Sequence, residues 1–160
     1  MRPVMLRSFL GLAAFLLLTS AYNRLNSPSV MANAANALLA SLSDEQKAKA
    51  TFEFGSDERL NWHFIPRVRK GLPLKQMTQE QRHLAQALLS SGLSQQGYTK
   101  AVSIMSLEEV LRILELGVGT NVRDPEQYFF SVFGTPTESG TWGFRVEGHH
   151  LAQKDRKSVV

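Results

Sequence analysis

The alternation of hydrophobic and polar positions predicts helices in the first two thirds of the chain. Apolar residues recur at helical spacing over 34–42, 84–88 and 101–114. Two four-residue runs, Ser43–Gln46 and Thr78–Gln81, match the capping box that begins a helix. We therefore expect about three helices, the last two joined by a short turn as an αα-hairpin.

The segment between the first and second predicted helices has no regular period. Residues 55–77 contain two prolines and two glycines, which indicates an extended stretch that crosses the domain. Trp62, Phe64 and Ile65 are its expected core anchors, with His63 between them. Glycines at 117 and 119 are expected to end the last helix.

A hairpin pattern occupies Tyr128–Leu151. Two runs rich in aromatic and β-branched residues flank Thr135–Gly140, whose composition is typical of a loop. The predicted fold class is therefore α+β, with the helices followed by an antiparallel β-hairpin that begins an incomplete sheet.

The N-terminal residues have the features of a secretory signal. Arg2 and Arg7 precede an uncharged apolar run at 9–18, and small residues follow at 19–21. This run is shorter than the roughly 20 residues that span a bilayer. We expect residues 1–21 to be a cleaved signal, 22–33 a linker, and the protein to be periplasmic or extracellular. An uncleaved membrane anchor is the alternative, and no other membrane contact is expected.

The composition limits the classes of partner that the protein is expected to bind. Arg2, Arg7, Arg156 and Lys157 account for the excess of basic over acidic side chains, so the remaining chain is nearly neutral. A nucleic-acid partner is therefore not expected. The chain contains no cysteine, which excludes disulfides and thiolate chemistry.

The other end of the chain has an unusual composition. Residues 155–160 can be encoded by a common sequencing adapter that runs into a stop codon. We expect this tail to be adapter read-through, and residues 34–154 to be the N-terminal part of one domain. The partner that this reading implies is the missing C-terminal half of the same domain.

The candidate catalytic residues are Arg145, Glu147 and His149. Side chains two apart share one face of a strand, so a cation, a carboxylate and an imidazole would lie in a row. Glu147 would orient His149 or act as general base, and Arg145 would bind an anionic group. The alternative, which the pattern favours, is the solvent-facing side of a half-buried sheet.

A divalent metal is a second possibility, and no other cofactor is indicated. Adjacent residues of a strand point to opposite faces, so His149 and His150 are not expected to bind one ion. His149 together with the distant His63 remains a weak candidate pair for zinc, copper or iron. His83 is expected to be a surface residue.

Five basic residues between 59 and 75 form a third candidate, a phosphate site. No glycine-rich phosphate loop accompanies them, so a solvated loop is favoured. The nucleophile-elbow, zinc-protease and dinucleotide-binding motifs are also absent from the sequence.

Several phrases together resemble the N-terminal part of a bacterial family known as domain of unknown function 3500. They are 60–66 (LNWHFIP), 69–74 (RKGLPL), 77–81 (MTQEQ), 128–134 (YFFSVFG) and 142–151 (WGFRVEGHHL). The resemblance covers about residues 36–151. It implies an exported protein about twice this long, in which a strand follows the last phrase. Ala152–Lys154 departs from that pattern, so the sequence alone does not predict whether this strand forms here.

Two classes of function remain. One is an exported enzyme, a hydrolase or a metal-dependent enzyme, with its site on the second strand of the hairpin. The other is a non-catalytic exported binding or structural module, whose aromatic strand face contacts a partner or polymer.

Overall fold

The computed structural model describes residues 28–65, 67–116 and 123–157, and over these the protein has an α+β fold. This confirms the predicted α+β class, with four described helices where about three were predicted. The described helices are α1 (Pro28–Ser41), α2 (Asp44–Ala50), α3 (Gln79–Ser91) and α4 (Gln95–Leu114). The predicted signal, residues 1–21, lies outside the described residues and stays a prediction.

Local sequence rules account for where the helices begin. Both predicted capping boxes are present, at Ser43 of α2 and Thr78 of α3, and each cap side chain accepts a backbone N–H while the third helical residue reaches back. Ser94 caps α4 from one side only, by accepting from the N–H of Gly97. The structure thus confirms both helix starts that the capping boxes predict.

Helix α1 is longer than the sequence predicts. It begins at Pro28, so residues 28–33 belong to a helix and not to a linker. Proline is well suited to the first position of a helix, because a backbone N–H there would have no hydrogen-bond partner within the helix. Ala32 and Ala35 of α1 are buried against the core, which explains why this stretch folds with the domain.

Helix α4 ends at Leu114, before the two glycines that were expected to end it. Those glycines, at 117 and 119, lie outside the described residues. The short turn between α3 and α4 matches the predicted αα-hairpin in order and position.

The described strands are β1 (Thr51–Phe52), β2 (Leu72–Pro73), β3 (Phe129–Phe133), β4 (Trp142–Gly148) and β5 (Leu151–Lys157). They form one mixed sheet in the order β1-β3-β4-β5, and β2 pairs with β3 on the same side as β1. Strand β1 runs parallel to β3, and the remaining pairs are antiparallel.

Strand β5 completes the pairing that the sequence left open. It pairs with β4 along its whole length, from Leu151 opposite Gly148 to Lys157 opposite Trp142. Ala152–Lys154 therefore continues as a strand despite its departure from the family pattern. The strand also includes residues 155–157, the first half of the expected read-through tail.

One face of the sheet is apolar and packs against the helices. Phe130 lies opposite Val146, and Val132 lies opposite Phe144, so these side chains share a face. They form one continuous hydrophobic cluster with the helices. Its most buried members include Trp142, Phe144, Val146, Leu38, Leu88 and Leu89. Burial of this area supplies the main driving force for folding.

The opposite face is polar but also buried. Ser131, Arg145 and Glu147 lie on it, and each is at most 1% exposed. The irregular stretch between β1 and β2, which we call the crossing segment (residues 53–71), covers this face. It contacts the face through its backbone and polar side chains.

The expected anchors of the crossing segment are therefore wrong. Trp62, Phe64 and Ile65 are 45%, 55% and 52% exposed. The sheet face beneath them carries buried charged groups, which require hydrogen-bonding partners. Carbonyl and carboxylate groups therefore cover this face in place of apolar side chains. None of the helices in the described part of the chain is long and apolar enough to span a membrane.

Candidate functional site

Arg145 is the centre of a closed charge cluster beneath the crossing segment. Its Nη1 donates to the carbonyls of Glu58 (2.6 Å) and Asn61 (3.0 Å), and its Nη2 donates to Glu58 Oε1 (2.8 Å). The same Nη2 lies 3.1 Å from Glu147 Oε1. Its carbon Cζ lies 5.3 Å from the centre of the Phe133 ring, within cation–π distance.

Glu147 joins this cluster from the next position on the same face. Its Oε2 accepts from the backbone N–H of His63 at 3.0 Å and lies 4.0 Å from Nε of Arg69. The sequence correctly placed Arg145 beside Glu147. The alternative of a solvent-facing polar side is wrong, because both side chains are enclosed. Their contacts hold the crossing segment on the sheet.

The basic residues between 59 and 75 contact separate partners and do not form one phosphate site. Nη2 of Arg69 donates to the carbonyls of His63, Ile65 and Gly148, and this side chain is only 6% exposed. Burial lowers the pKa of Arg69, an effect that Glu147 partly opposes. Lys75 binds Asp124 at 2.7 Å. The prediction of a solvated loop is therefore correct for Arg67 and Lys70, which are exposed, and wrong for Arg69.

His149 is separated from Arg145 and Glu147. Strand β4 ends at Gly148, so the alternation of faces stops there and His149 lies in the turn to β5. Its Nδ1 lies 2.7 Å from Oε2 of Glu108 on α4. Nη1 of Arg123 lies 3.1 Å from Nδ1 and 3.4 Å from Nε2 of the same ring.

The turn also changes the relation of the two adjacent histidines. His150 adopts the left-handed conformation, with φ of 58°, which is uncommon for residues other than glycine. Its backbone N–H donates to the carbonyl of Phe64 at 2.8 Å. The rings of His149 and His150 lie 3.9 Å apart between centres. The expectation that they point to opposite faces is therefore wrong, because they belong to a turn and not to a strand.

A cleft of about 350 Å³ opens beside the Glu108–His149 pair. Its size is within the range of small-molecule sites. Glu108 is 6% exposed and His149 is 13% exposed, so the pair is largely shielded but reachable from the cleft. The other lining residues are Arg67, Val68, Arg69, Arg123, Asp124, Gln127, Tyr128 and Phe129.

Glu108 and Arg123 were not predicted as site residues. Arg123 is fixed by Glu115, whose two carboxylate oxygens lie 2.9 and 3.0 Å from its guanidinium nitrogens. Glu108 follows Ala101 and Met105 at helical spacing and shares their buried face. A carboxylate at an otherwise apolar position is the signal that points to it.

The described residues contain no group of three or more His, Asp or Glu side chains with metal-site geometry. Nε2 of His63 lies 3.1 Å from the side-chain oxygen of Asn61, within the crossing segment. His149 is bound to Glu108 instead. The structure thus places the two weak metal candidates in different environments, and His83 is exposed on α3 as expected.

Tyr128 packs against the turn that joins β4 to β5. Its hydroxyl donates to the carbonyl of His149 at 3.1 Å, and its ring is 1% exposed. Burial raises the pKa of Tyr128 to about 12, and the nearby carboxylate of Glu108 adds to the rise. The unfolded chain ionises a tyrosine near pH 10. The folded state therefore holds this proton over a pH range in which the unfolded state has lost it.

We expect the contribution of Tyr128 to the free energy of unfolding to be constant up to about pH 10 and then to fall by about 2 kcal/mol as the pH rises to about 12. Urea denaturation between pH 9 and pH 12 measures this slope. Tyr128→Phe should reduce it, while Tyr98→Phe, at a half-buried tyrosine, serves as the control. If Tyr128→Phe shows the same loss of stability with pH as the wild type, the loss arises from other groups and the prediction is wrong.

The fold and the site together define an α+β protein with a carboxylate–histidine pair beside an arginine-lined cleft. The chain belongs to the family described as protein of unknown function (DUF3500), whose model matches residues 26–155. This confirms the resemblance seen in the sequence. No curated protein matches the chain, and no solved structure matches it.

Proposed function

We propose that the protein is a hydrolase in which His149 is the general base and Glu108 orients it. The observation that carries this proposal is the 2.7 Å contact between Nδ1 of His149 and Oε2 of Glu108 at the cleft. Export, predicted from residues 1–21, is part of the proposal, and N-terminal sequencing of the mature protein checks it.

The pair supports acid–base chemistry because of how it assigns the ring nitrogens. A carboxylate that accepts from Nδ1–H holds the tautomer whose Nε2 carries a lone pair. Such an Nε2 takes a proton from a nucleophile and later returns it to a leaving group. The contact of Nε2 with Arg123 is long, at 3.4 Å, and leaves this nitrogen weakly engaged.

Water is the nucleophile that the cleft favours. The described lining residues include no serine, threonine or cysteine that would attack directly. We propose that His149 Nε2 removes a proton from water while the water oxygen attacks an ester carbonyl. The carbon–oxygen bond to the alcohol then breaks, and the alcohol leaves with the proton from Nε2. The guanidinium of Arg123, beside the imidazole, would stabilise the negative charge that develops on the carbonyl oxygen.

Hydrolysis of a panel of 4-nitrophenyl esters tests the proposal. We expect His149→Gln to lower kcat by about 100-fold, because the general base is lost. Glu108→Gln should have a smaller effect, about tenfold, since it removes only the group that orients the ring.

His83→Gln is the matched control, because this histidine is exposed on α3 and outside the cleft. It should leave kcat unchanged. An equal loss in His83→Gln and His149→Gln, or no hydrolysis above the protein-free rate, would contradict the proposal.

A non-catalytic binding module is the second candidate. It is favoured by Trp62 and Phe64, two aromatic side chains that stay about half exposed on the crossing segment. Exposed aromatic rings of this kind commonly contact partners. This candidate predicts that no ester is hydrolysed and that Trp62→Ala weakens binding of the partner.

A further inference from the structure

A second recess lies next to the cleft, along the outer side of α4. This recess, which we call the α4 groove, has a volume of about 400 Å³. It is lined by Ile104, Leu107, Glu108, Val110, Leu111 and His150. Leu107 and Val110 are 56% and 47% exposed, so apolar surface is open to solvent here. A soluble domain seldom leaves such a surface without a function.

The α4 groove and the cleft meet at the proposed catalytic pair. Glu108 lines both spaces. His149 lines the cleft and His150 lines the groove, and their rings are in contact at 3.9 Å between centres. A ligand that extends from one space into the other therefore passes the carboxylate–histidine pair.

The two spaces differ in charge. Three guanidinium groups line the cleft, together with the carboxylates of Glu108 and Asp124. Most of these charges already have partners: Asp124 is paired with Lys75, Arg123 with Glu115, and Arg69 lies 4.0 Å from Glu147. Arg67 is exposed and makes no ion pair within the described part of the chain, so this guanidinium is open to an anionic group. Among the described residues that line the groove, Glu108 and His150 are the polar side chains and the others are apolar.

From this juxtaposition we infer that the substrate is an ester of a fatty acyl chain. The acyl chain lies in the α4 groove, its carbonyl lies at Glu108 and His149, and the carboxylate product faces Arg67 in the cleft. This inference rests on the proposed hydrolase function and specifies its substrate class. It also explains why apolar surface is exposed directly beside a charged site.

Binding of the product class gives a test that is independent of turnover. Isothermal titration of the full chain with acetate, hexanoate and decanoate should show Kd falling by about threefold for each methylene added, until the groove is filled. Decanol, which lacks the charge, should bind at least tenfold more weakly than decanoate.

Two variants on the same helix separate the groove from general hydrophobicity. Leu107→Gln should weaken decanoate binding by about tenfold or more, because this side chain lines the groove. Val102→Gln is the control: Val102 is exposed on α4 but does not line the groove. It should leave the Kd unchanged, and circular dichroism checks that both variants remain folded.

The outcomes distinguish this inference from the hydrolase itself. Ester hydrolysis without dependence on chain length, or equal binding of decanol and decanoate, would overturn the inference and leave the hydrolase standing. Decanoate binding that Leu107→Gln weakens, without hydrolysis of any ester, would support the groove as a fatty-anion site and refute the hydrolase. If Leu107→Gln separates a dimer into monomers and leaves decanoate binding intact, the groove is an interface between copies and the inference fails.

Discussion

Replacing Arg145 with methionine is expected to lower the free energy of unfolding by about 3–5 kcal/mol. Arg145 is fully buried, and its guanidinium is shared between Glu58, Asn61 and Glu147. Methionine fills much of the same space but leaves the carboxylate of Glu147 enclosed without its closest cation. An uncompensated buried charge is among the largest single destabilising effects known. Urea denaturation at pH 7 measures the loss.

Arg112→Met is the matched control for this prediction. Arg112 forms an ion pair with Glu109 on the exposed side of α4, with nitrogen and oxygen 2.6 Å apart. Solvent screens this pair, so its removal should change the free energy of unfolding very little. A double replacement, Arg145→Met with Glu147→Met, should recover part of the stability because it removes the stranded charge. Equal stability of Arg145→Met and the wild type would contradict the central role of this cluster.

The same cluster has a pH signature. Burial raises the pKa of Glu58, but hydrogen bonds from Arg145 and Asn61 outweigh it and hold the pKa below its ordinary value of 4.5. A carboxylate whose pKa is lowered on folding contributes stability above its unfolded pKa and loses it as the pH falls. The stability difference between wild type and Arg145→Met should therefore shrink below about pH 4.5.

Gly148→Ala is expected to lower the free energy of unfolding by about 3 kcal/mol. A Cβ at this position would lie 2.3 and 2.6 Å from two atoms of the Tyr128 ring. The ring is not free to move, because it is buried and its hydroxyl is bound to the carbonyl of His149. Strand and turn must shift instead. Thermal or urea denaturation measures the effect.

Gly55→Ala is the control for this substitution, because an added Cβ there meets no atom within 4 Å. It should change stability by a few tenths of a kcal/mol at most. Since Gly148 directly precedes His149, Gly148→Ala should also displace the imidazole from Glu108 and reduce ester hydrolysis in parallel. A stable Gly148→Ala variant with full activity would show that the turn tolerates this crowding.

Much of the fold was predictable because its signals are local. The capping boxes at Ser43 and Thr78 act over three residues, and both form as predicted. The αα-hairpin and the α+β class follow from periodicity in the same way. The extent of α1 was missed because Pro28 and the small residues after it carry no strong period, and packing of Ala32 and Ala35 decides it.

The candidate site was predictable only in part. Arg145 and Glu147 share a face because strand alternation is a local rule, and they are in contact. The same rule failed at His149, since it does not say that β4 ends one residue earlier. The expectation that Trp62 and Phe64 anchor the core failed for a different reason, because the surface beneath their segment is charged.

Local patterns in the sequence were sufficient to predict the capped starts of α2 and α3, the hairpin strands β3 and β4, and the family. Which residues come together at the site depends on the packing of the whole chain. His149 binds Glu108 across 41 positions, and His63 and Arg145 bind their partners across 84 or more. Local propensities arise from neighbours within a few residues, whereas such pairings arise from burial of the whole core, which no short window of sequence contains.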